Sequence, residues 1–172
     1  LMVVSYPNNP TTAMAPDSFY EELIAFASRH DIIVLHDNAY SDLVFDGRTC
    51  GSFLGFPGAK EVGVEFNSLS KTYGLAGARI GFCLGNEAVV SRIKLLKSNM
   101  DYGMFLPIQA AAIAAITGDQ SCVHTTMKAY ETRRNIMCDG FTGIGWKMER
   151  PAATMFVWAG IPGKFKSSEE FV

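Results

Sequence analysis

Ser68-Leu69-Ser70-Lys71-Thr72-Tyr73-Gly74-Leu75-Ala76-Gly77-Ala78-Arg79-Ile80-Gly81 comes just after the apolar run Val62-Gly63-Val64-Glu65-Phe66, and the reading of that junction decides the fold. An apolar run of this kind suits a strand buried within a sheet. Its carboxyl end then presents two serine hydroxyls and the Lys71 amine where open α/β sheets bind ligands. The turn onward to Arg79-Ile80-Gly81-Phe82-Cys83-Leu84-Gly85 is too short for a helical crossover. The strand that follows is therefore expected to run antiparallel.

Upstream, Ile32-Ile33-Val34-Leu35 is a β-branched run of the buried, parallel kind, and it delivers His36-Asp37-Asn38-Ala39-Tyr40 to its carboxyl end. Phe19, Leu23, Phe26 and Ala27 recur at helical spacing, with Pro16 suited to the first helical position and Asp17 to the dipole. A first strand, residues 1–6, ends in the turn-rich Pro7-Asn8-Asn9-Pro10-Thr11-Thr12. Helices are expected at 86–98, 107–117 and 119–142, and a strand pair at 146–149 and 154–158. The order predicts an α/β fold, a mainly parallel sheet with flanking helices, covering residues 1–142. Residues 143–172 are expected to begin a small α+β C-terminal domain. Right-handed crossovers should bring Asn9, Asp37 and Lys71 to one edge of the sheet.

The chain has 172 residues, 48% hydrophobic and 19% charged, which is a globular composition with ample apolar material for a core. A formal net charge of -2 argues against a nucleic-acid surface or a polybasic membrane patch. Basic residues cluster at Arg92, Lys94 and Lys97 and again at Arg133 and Arg134, spaced as on the wet faces of helices. The four cysteines stand far apart, without metal-ligand spacing or the density of a disulfide framework, which points to a reducing, cytoplasmic setting. No apolar stretch reaches the length of a membrane span. The chain opens on Leu1-Met2-Val3-Val4-Ser5, as in a strand under way, and stops at Ser167-Ser168-Glu169-Glu170, as in a helical first turn. It is expected to be a piece of a longer one.

A lysine held on a strand end, partly desolvated, can attack a carbonyl as the free amine. Hydroxyls and a guanidinium beside it suit a phosphate group. Asp37 follows four apolar residues, so its carboxylate favours a cationic partner such as a protonated pyridine nitrogen. Asn9 and Tyr40 offer an amide and a phenol to an anionic ring oxygen. Taken singly each has a plain structural reading: an Asx-turn for Asn9, a helix cap or arginine pair for Asp37, ordinary packing for Tyr40. Together, amine, carboxylate and phosphate site suggest pyridoxal 5′-phosphate.

These residues carry a family resemblance. The chain resembles the class I/II aminotransferases of the PLP-dependent fold-type I superfamily, and within it the branch of LL-diaminopimelate and aspartate aminotransferases. Tyr6-Pro7-Asn8-Asn9-Pro10-Thr11 is similar to the family's Asn-Pro-Thr-Gly element, which implies that Asn9 binds the cofactor's ring oxygen. His36-Asp37-Asn38-Ala39-Tyr40 resembles Asp-x-Ala-Tyr, implying Asp37 for the pyridine nitrogen and Tyr40 for the ring oxygen. Ser68-Leu69-Ser70-Lys71 resembles Ser-x-Ser-Lys, implying Lys71 as the Schiff-base lysine and Ser68, with Ser70, beside the phosphate. Arg79 matches the family's phosphate arginine.

The resemblance implies a cytoplasmic, typically homodimeric enzyme of amino acid biosynthesis. It would move an amino group between an amino acid and a 2-oxo acid by a ping-pong route. It also implies a glycine-rich phosphate loop and a ring-stacking aromatic before position 1, and a carboxylate-clamping arginine after position 172. Thr12 departs from the pattern, standing where the family has glycine. Two other readings stay open. One is a PLP-dependent C–S lyase or synthase on the same fold, against which Asn8 beside Asn9 resembles the transferase form. The other is a non-catalytic, aminotransferase-like regulatory domain.

Overall fold

The structure is a computed structural model describing all 172 residues. Strands β1 (Met2–Ser5), β2 (Val34–Asp37), β3 (Gly63–Ser68) and β4 (Gly81–Gly85) form one sheet in that order. The first three are parallel, and β4 runs antiparallel to β3, as its short connection requires. Register places Ser5, Asp37, Phe66 and Cys83 side by side, and Val4, His36, Glu65 and Leu84 in the next row. Side chains alternate along a strand, so these two rows point to opposite faces.

Helix α1 (Asp17–Arg29) covers the face that carries His36 and Glu65. Tyr20, Leu23, Ile24 and Ala27 lie one helical turn apart and are buried against Val34 of the sheet. Phe53, from a 3-10 turn at Phe53–Gly55, completes that core with Ala59 and Val62 of α2 (Ala59–Val62). Gly63 is required there: a Cβ would meet the Val34 carbonyl oxygen at 2.7 Å and the Phe53 ring at 2.9 Å. Burying a side chain the size of Phe53 contributes about 2–3 kcal/mol.

Three local expectations shift. Pro16 is the extended N-cap of α1, just outside the helix, with Asp17 as the first helical residue. Phe26 is 43% exposed and packs on His30, because the buried stripe runs through Tyr20, Ile24 and Ala27 instead. Strand β2 starts at Val34, since the Ile32 N–H closes the end of α1 by bonding to the Ala27 carbonyl at 2.9 Å.

A single turn of helix, α3 (Leu69–Thr72), follows β3 and carries Lys71. Then come α4 (Glu87–Met100), α5 (Leu106–Thr117) and α6 (Ser121–Gly143), close to the expected spans. The last element, α7 (Ser168–Phe171), is capped by Ser167, whose hydroxyl accepts from the Glu170 N–H at 3.2 Å.

The strand pair expected at 146–149 and 154–158 is absent. The backbone of 152–154 is engaged elsewhere: Phe45 N–H donates to the Ala152 carbonyl at 2.9 Å and Thr154 N–H to the Leu43 carbonyl at 2.8 Å. Arg134, read from sequence as a wet-face residue, is the pin of this junction and is only 5% exposed. Its guanidinium bonds both Asp46 carboxylate oxygens at 2.7 and 2.8 Å, donates to the Pro151 carbonyl at 2.8 Å and lies 4.8 Å from the Phe45 ring centre. Arg134→Lys keeps the charge and loses the fork and the stacking. Because Asp46 is half exposed, the expected cost is no more than about 1–2 kcal/mol, read as a lower urea midpoint at unchanged slope.

Candidate active site

Four segments meet at the carboxyl ends of the parallel strands. After β1, Asn8 makes the turn: its Oδ1 accepts from the Thr11 N–H at 3.2 Å and the Thr11 hydroxyl at 2.6 Å, and its Nδ2 donates to the Ser5 carbonyl at 3.2 Å. The Asx-turn that could have engaged Asn9 thus belongs to Asn8. The Asn9 amide is left to reach across 31 positions and donate to the Tyr40 hydroxyl at 3.3 Å. Thr12 adopts φ 65, a left-handed conformation that strains a β-branched residue.

After β2, Asp37 is half-buried, and its Oδ1 accepts from the Ala39 N–H at 3.2 Å. Tyr40 is buried. Burial raises its phenol above the ordinary range and the Asp37 charge adds to this, while the Asn9 hydrogen bond acts the other way. The hydroxyl is therefore a donor at neutral pH.

After β3, α3 holds the Lys71 ammonium 5.9 Å from the centre of the Tyr40 ring. The next residue fixes that approach: the Thr72 hydroxyl donates to Asp42 Oδ2 at 2.7 Å, tying the lysine helix to the Tyr40 loop. Ser68 caps α3, its hydroxyl accepting from the Ser70 N–H at 3.1 Å. The turn beyond returns to the start of α3 through the Leu69 N–H to Ile80 carbonyl bond at 3.3 Å. Arg79, beside Ile80, is exposed with φ 55, and its guanidinium donates to the Ala76 carbonyl of its own turn at 2.9 Å.

The structure thus joins Asn9, Tyr40 and Lys71 through contacts and sets Asp37 three residues from Tyr40. Ser68, Ser70 and Arg79 lie on the loop that carries the lysine. An amine, an acceptor-only carboxylate and two neutral donors at one strand edge can hold a ring bearing a carbonyl, a basic nitrogen and a phenolic oxygen.

A cluster missed in the sequence lies directly behind. Glu65, taken there as part of an apolar run, is 3% exposed and accepts hydrogen bonds on both oxygens. Asn38 and Asn67 amides reach Oε1 at 3.1 and 2.8 Å; the Ser52 hydroxyl, Phe53 N–H and His36 Nδ1 reach Oε2 at 2.9, 2.8 and 3.1 Å. An ionised carboxylate only accepts, so the network assigns a proton to His36 Nδ1, while Nε2 faces the Tyr20 hydroxyl at 3.3 Å. A charged residue inside an apolar strand, in register with a histidine of the neighbouring strand, was the available signal.

Burial acts to raise the Glu65 pKa, but the bonds from His36, Asn67, Asn38 and Ser52 outweigh it and hold the group at about 2. A carboxyl lowered on folding stabilises the fold above its ordinary pKa near 4.5, and that contribution is lost as pH falls towards 2. At one pKa unit per 1.36 kcal/mol the contribution is on the order of 3 kcal/mol. Urea unfolding at stepped pH is expected to show stability falling from about pH 5 downwards, with a flatter slope in Glu65→Gln.

The sequence model of the aminotransferase class I and II family matches residues 1–172. Among relatives, the chain is 47% identical over 172 residues to an LL-diaminopimelate aminotransferase of Gloeobacter violaceus, covering 100% of this chain and 44% of that protein. It is 46% identical over 162 residues to the glutamate-pyruvate aminotransferase AlaC of Escherichia coli, covering 94% of this chain and 39% of that one. Among solved structures, substrate-bound BacF of Bacillus subtilis superposes with a TM-score of 0.94 at 40% identity, over 99% of this chain and 43% of that one. A probable N-succinyldiaminopimelate aminotransferase of Thermus thermophilus gives 0.88 at 35%, over 95% and 44%. The chain therefore spans less than half the length of the curated relatives it matches. No helix is long and apolar enough to cross a membrane.

Proposed function

The chain belongs to the class I and II aminotransferase family, and from that premise we propose that it carries the cofactor-anchoring part of a pyridoxal 5′-phosphate enzyme that moves an amino group between an amino acid and a 2-oxo acid. The observation that supports this most is the meeting of Lys71, Tyr40 and Asn9 beside Asp37. That donor set fits the cofactor group by group. The Asp37 carboxylate would accept the ring N–H, and the Asn9 amide and Tyr40 hydroxyl would donate to the ring oxygen. The Lys71 amine would anchor the cofactor covalently, and Ser68, Ser70 and Arg79 would hold the phosphate. When bound, the cofactor supplies an electron sink for the charge that develops at the substrate's α-carbon.

The work of the chain's own residues follows from their chemistry. With the cofactor held by these residues, Lys71 Nζ would serve as the general base that removes the substrate's α-carbon proton and, as the ammonium so formed, as the general acid that delivers that proton on the cofactor side instead of back to the α-carbon. That Nζ lies 5.9 Å from the centre of the Tyr40 ring, which puts it on the Tyr40 side of the site. Asp37 keeps a proton on the ring nitrogen. Residues 1–142 are read as part of the large domain and 143–172 as the start of a smaller one, in a cytoplasmic homodimer.

The deciding assay uses the full-length protein loaded with pyridoxal 5′-phosphate. Amino transfer that stops when the 2-oxo acid is omitted is the expected result. Release of pyruvate and ammonia without a 2-oxo acid would instead identify a lyase. Tight cofactor binding with neither reaction would identify a regulatory domain.

A further inference from the structure

Asp37 stands between two residues that are held from behind by one carboxylate. His36 and Asn38 flank it in sequence, and both bond Glu65, at 3.1 Å each. Glu65 lies in the sheet row opposite in sense to Asp37, so it grips the strand from the α1 side while Asp37 projects from the other. The amide of Asn38 donates to Glu65, and its Oδ1 has no protein partner, so this bond alone orients the side chain. Asn67, immediately before Ser68 and the lysine helix, bonds the same carboxylate at 2.8 Å. The carboxylate is further fixed by the Ser52 hydroxyl and the Phe53 N–H, so it has no freedom of its own.

The geometry points to Glu65 as a positioning residue that sets the placement of Asp37 relative to Lys71, and so the affinity and protonation of the cofactor held between them. This rests on the pyridoxal 5′-phosphate reading above. The direction in which a strand side chain leaves the backbone follows from the peptide planes on either side of it. Those planes belong here to His36 and Asn38. Buried hydrogen-bonded groups behind a functional residue act through such alignment, and loss of the groups behind metal ligands, which act the same way, weakens those sites by about 10–100-fold. Glu65 touches neither Asp37 nor Lys71 through a side-chain hydrogen bond; its influence passes through its neighbours.

The test compares full-length wild type with Glu65→Gln and Asn38→Ala. Gln keeps the shape but turns an amide donor against donors, and Ala cuts only the link behind Asp37. Two readouts apply: the dissociation constant for pyridoxal 5′-phosphate, and the pH midpoint of the bound cofactor's visible absorbance. Expected is a loss of affinity of about tenfold or more in Glu65→Gln and a smaller loss in Asn38→Ala, each with a displaced midpoint. Apo-protein melting tracks folding separately, and should Glu65→Gln fail to fold, Asn38→Ala decides alone. Wild-type affinity and an unmoved midpoint in the folded variants overturn the proposal, because a merely structural role changes melting and nothing else. Failure of wild type itself to bind the cofactor overturns the parent reading, and this proposal with it, and is recognised because the defect precedes any substitution.

Discussion

Lys71→Ala is expected to reduce amino transfer by at least about 10⁴-fold, since one substitution removes both a covalent anchor and a general base, the latter alone worth 10²–10⁴. Borohydride treatment followed by peptide mapping is expected to place the cofactor's mass on the Lys71 peptide in the parent protein and nowhere in the variant. The fold should survive, because α3 is seated by buried Leu69 and Thr72 while the lysine itself is half-buried. Lys71→Arg separates charge from chemistry. It retains a cation facing Tyr40, but a guanidinium stays protonated and cannot act as the free amine. The arginine variant is expected to be as inactive as the alanine one. Turnover at the parent rate in either would remove Lys71 from the mechanism.

What could be read from the sequence, and what could not, separates along physical lines. Apolar runs fix strands because a buried strand must be apolar on both faces, so β2, β3 and the reversal into β4 were legible. The expected meeting of Asn9, Asp37 and Lys71 follows from parallel strands ending at one edge; in the structure Asn9 and Lys71 each approach Tyr40, three residues beyond Asp37. Glu65 was hidden because a single carboxylate in such a run is judged by its neighbours in sequence. The partners that satisfy it are His36 and Asn38 at the end of β2, Ser52 in the turn before α2, and Asn67 two residues along its own strand. Arg134 was misjudged for the same reason: helical spacing places it, but only the fold brings Asp46 from 88 positions away. The strand pair after α6 failed because alternation says that a segment can form a ladder, not with whom. Residues 152–154 pair with Leu43–Phe45. Asn8 and Asn9, adjacent and identical, differ in role only because one of them already satisfies the turn.

Asp37→Asn is expected to slow amino transfer by about 10²–10³-fold while leaving the cofactor attached to Lys71. The substitution is isosteric and removes only the charge, so it asks whether the carboxylate holds a proton on a ring nitrogen or merely supports the loop. As support, Asp37 offers one hydrogen bond from the Ala39 N–H at 3.2 Å, worth about 1 kcal/mol and available to an asparagine oxygen as well. Melting should therefore scarcely move. As the partner of a cation it offers a charge-assisted bond that strengthens as negative charge develops on the ring. Losing an electrostatic contact of that kind costs about 3–4 kcal/mol, or two to three decades in rate. The effect should fall on kcat, because the covalent anchor and the phosphate contacts remain. Asp37→Ala should slow the reaction further, since it also frees the Ala39 N–H to relax the turn that positions Tyr40. A rate in Asp37→Asn within a few-fold of the parent would assign the residue to the loop and leave the ring nitrogen without a partner in this chain.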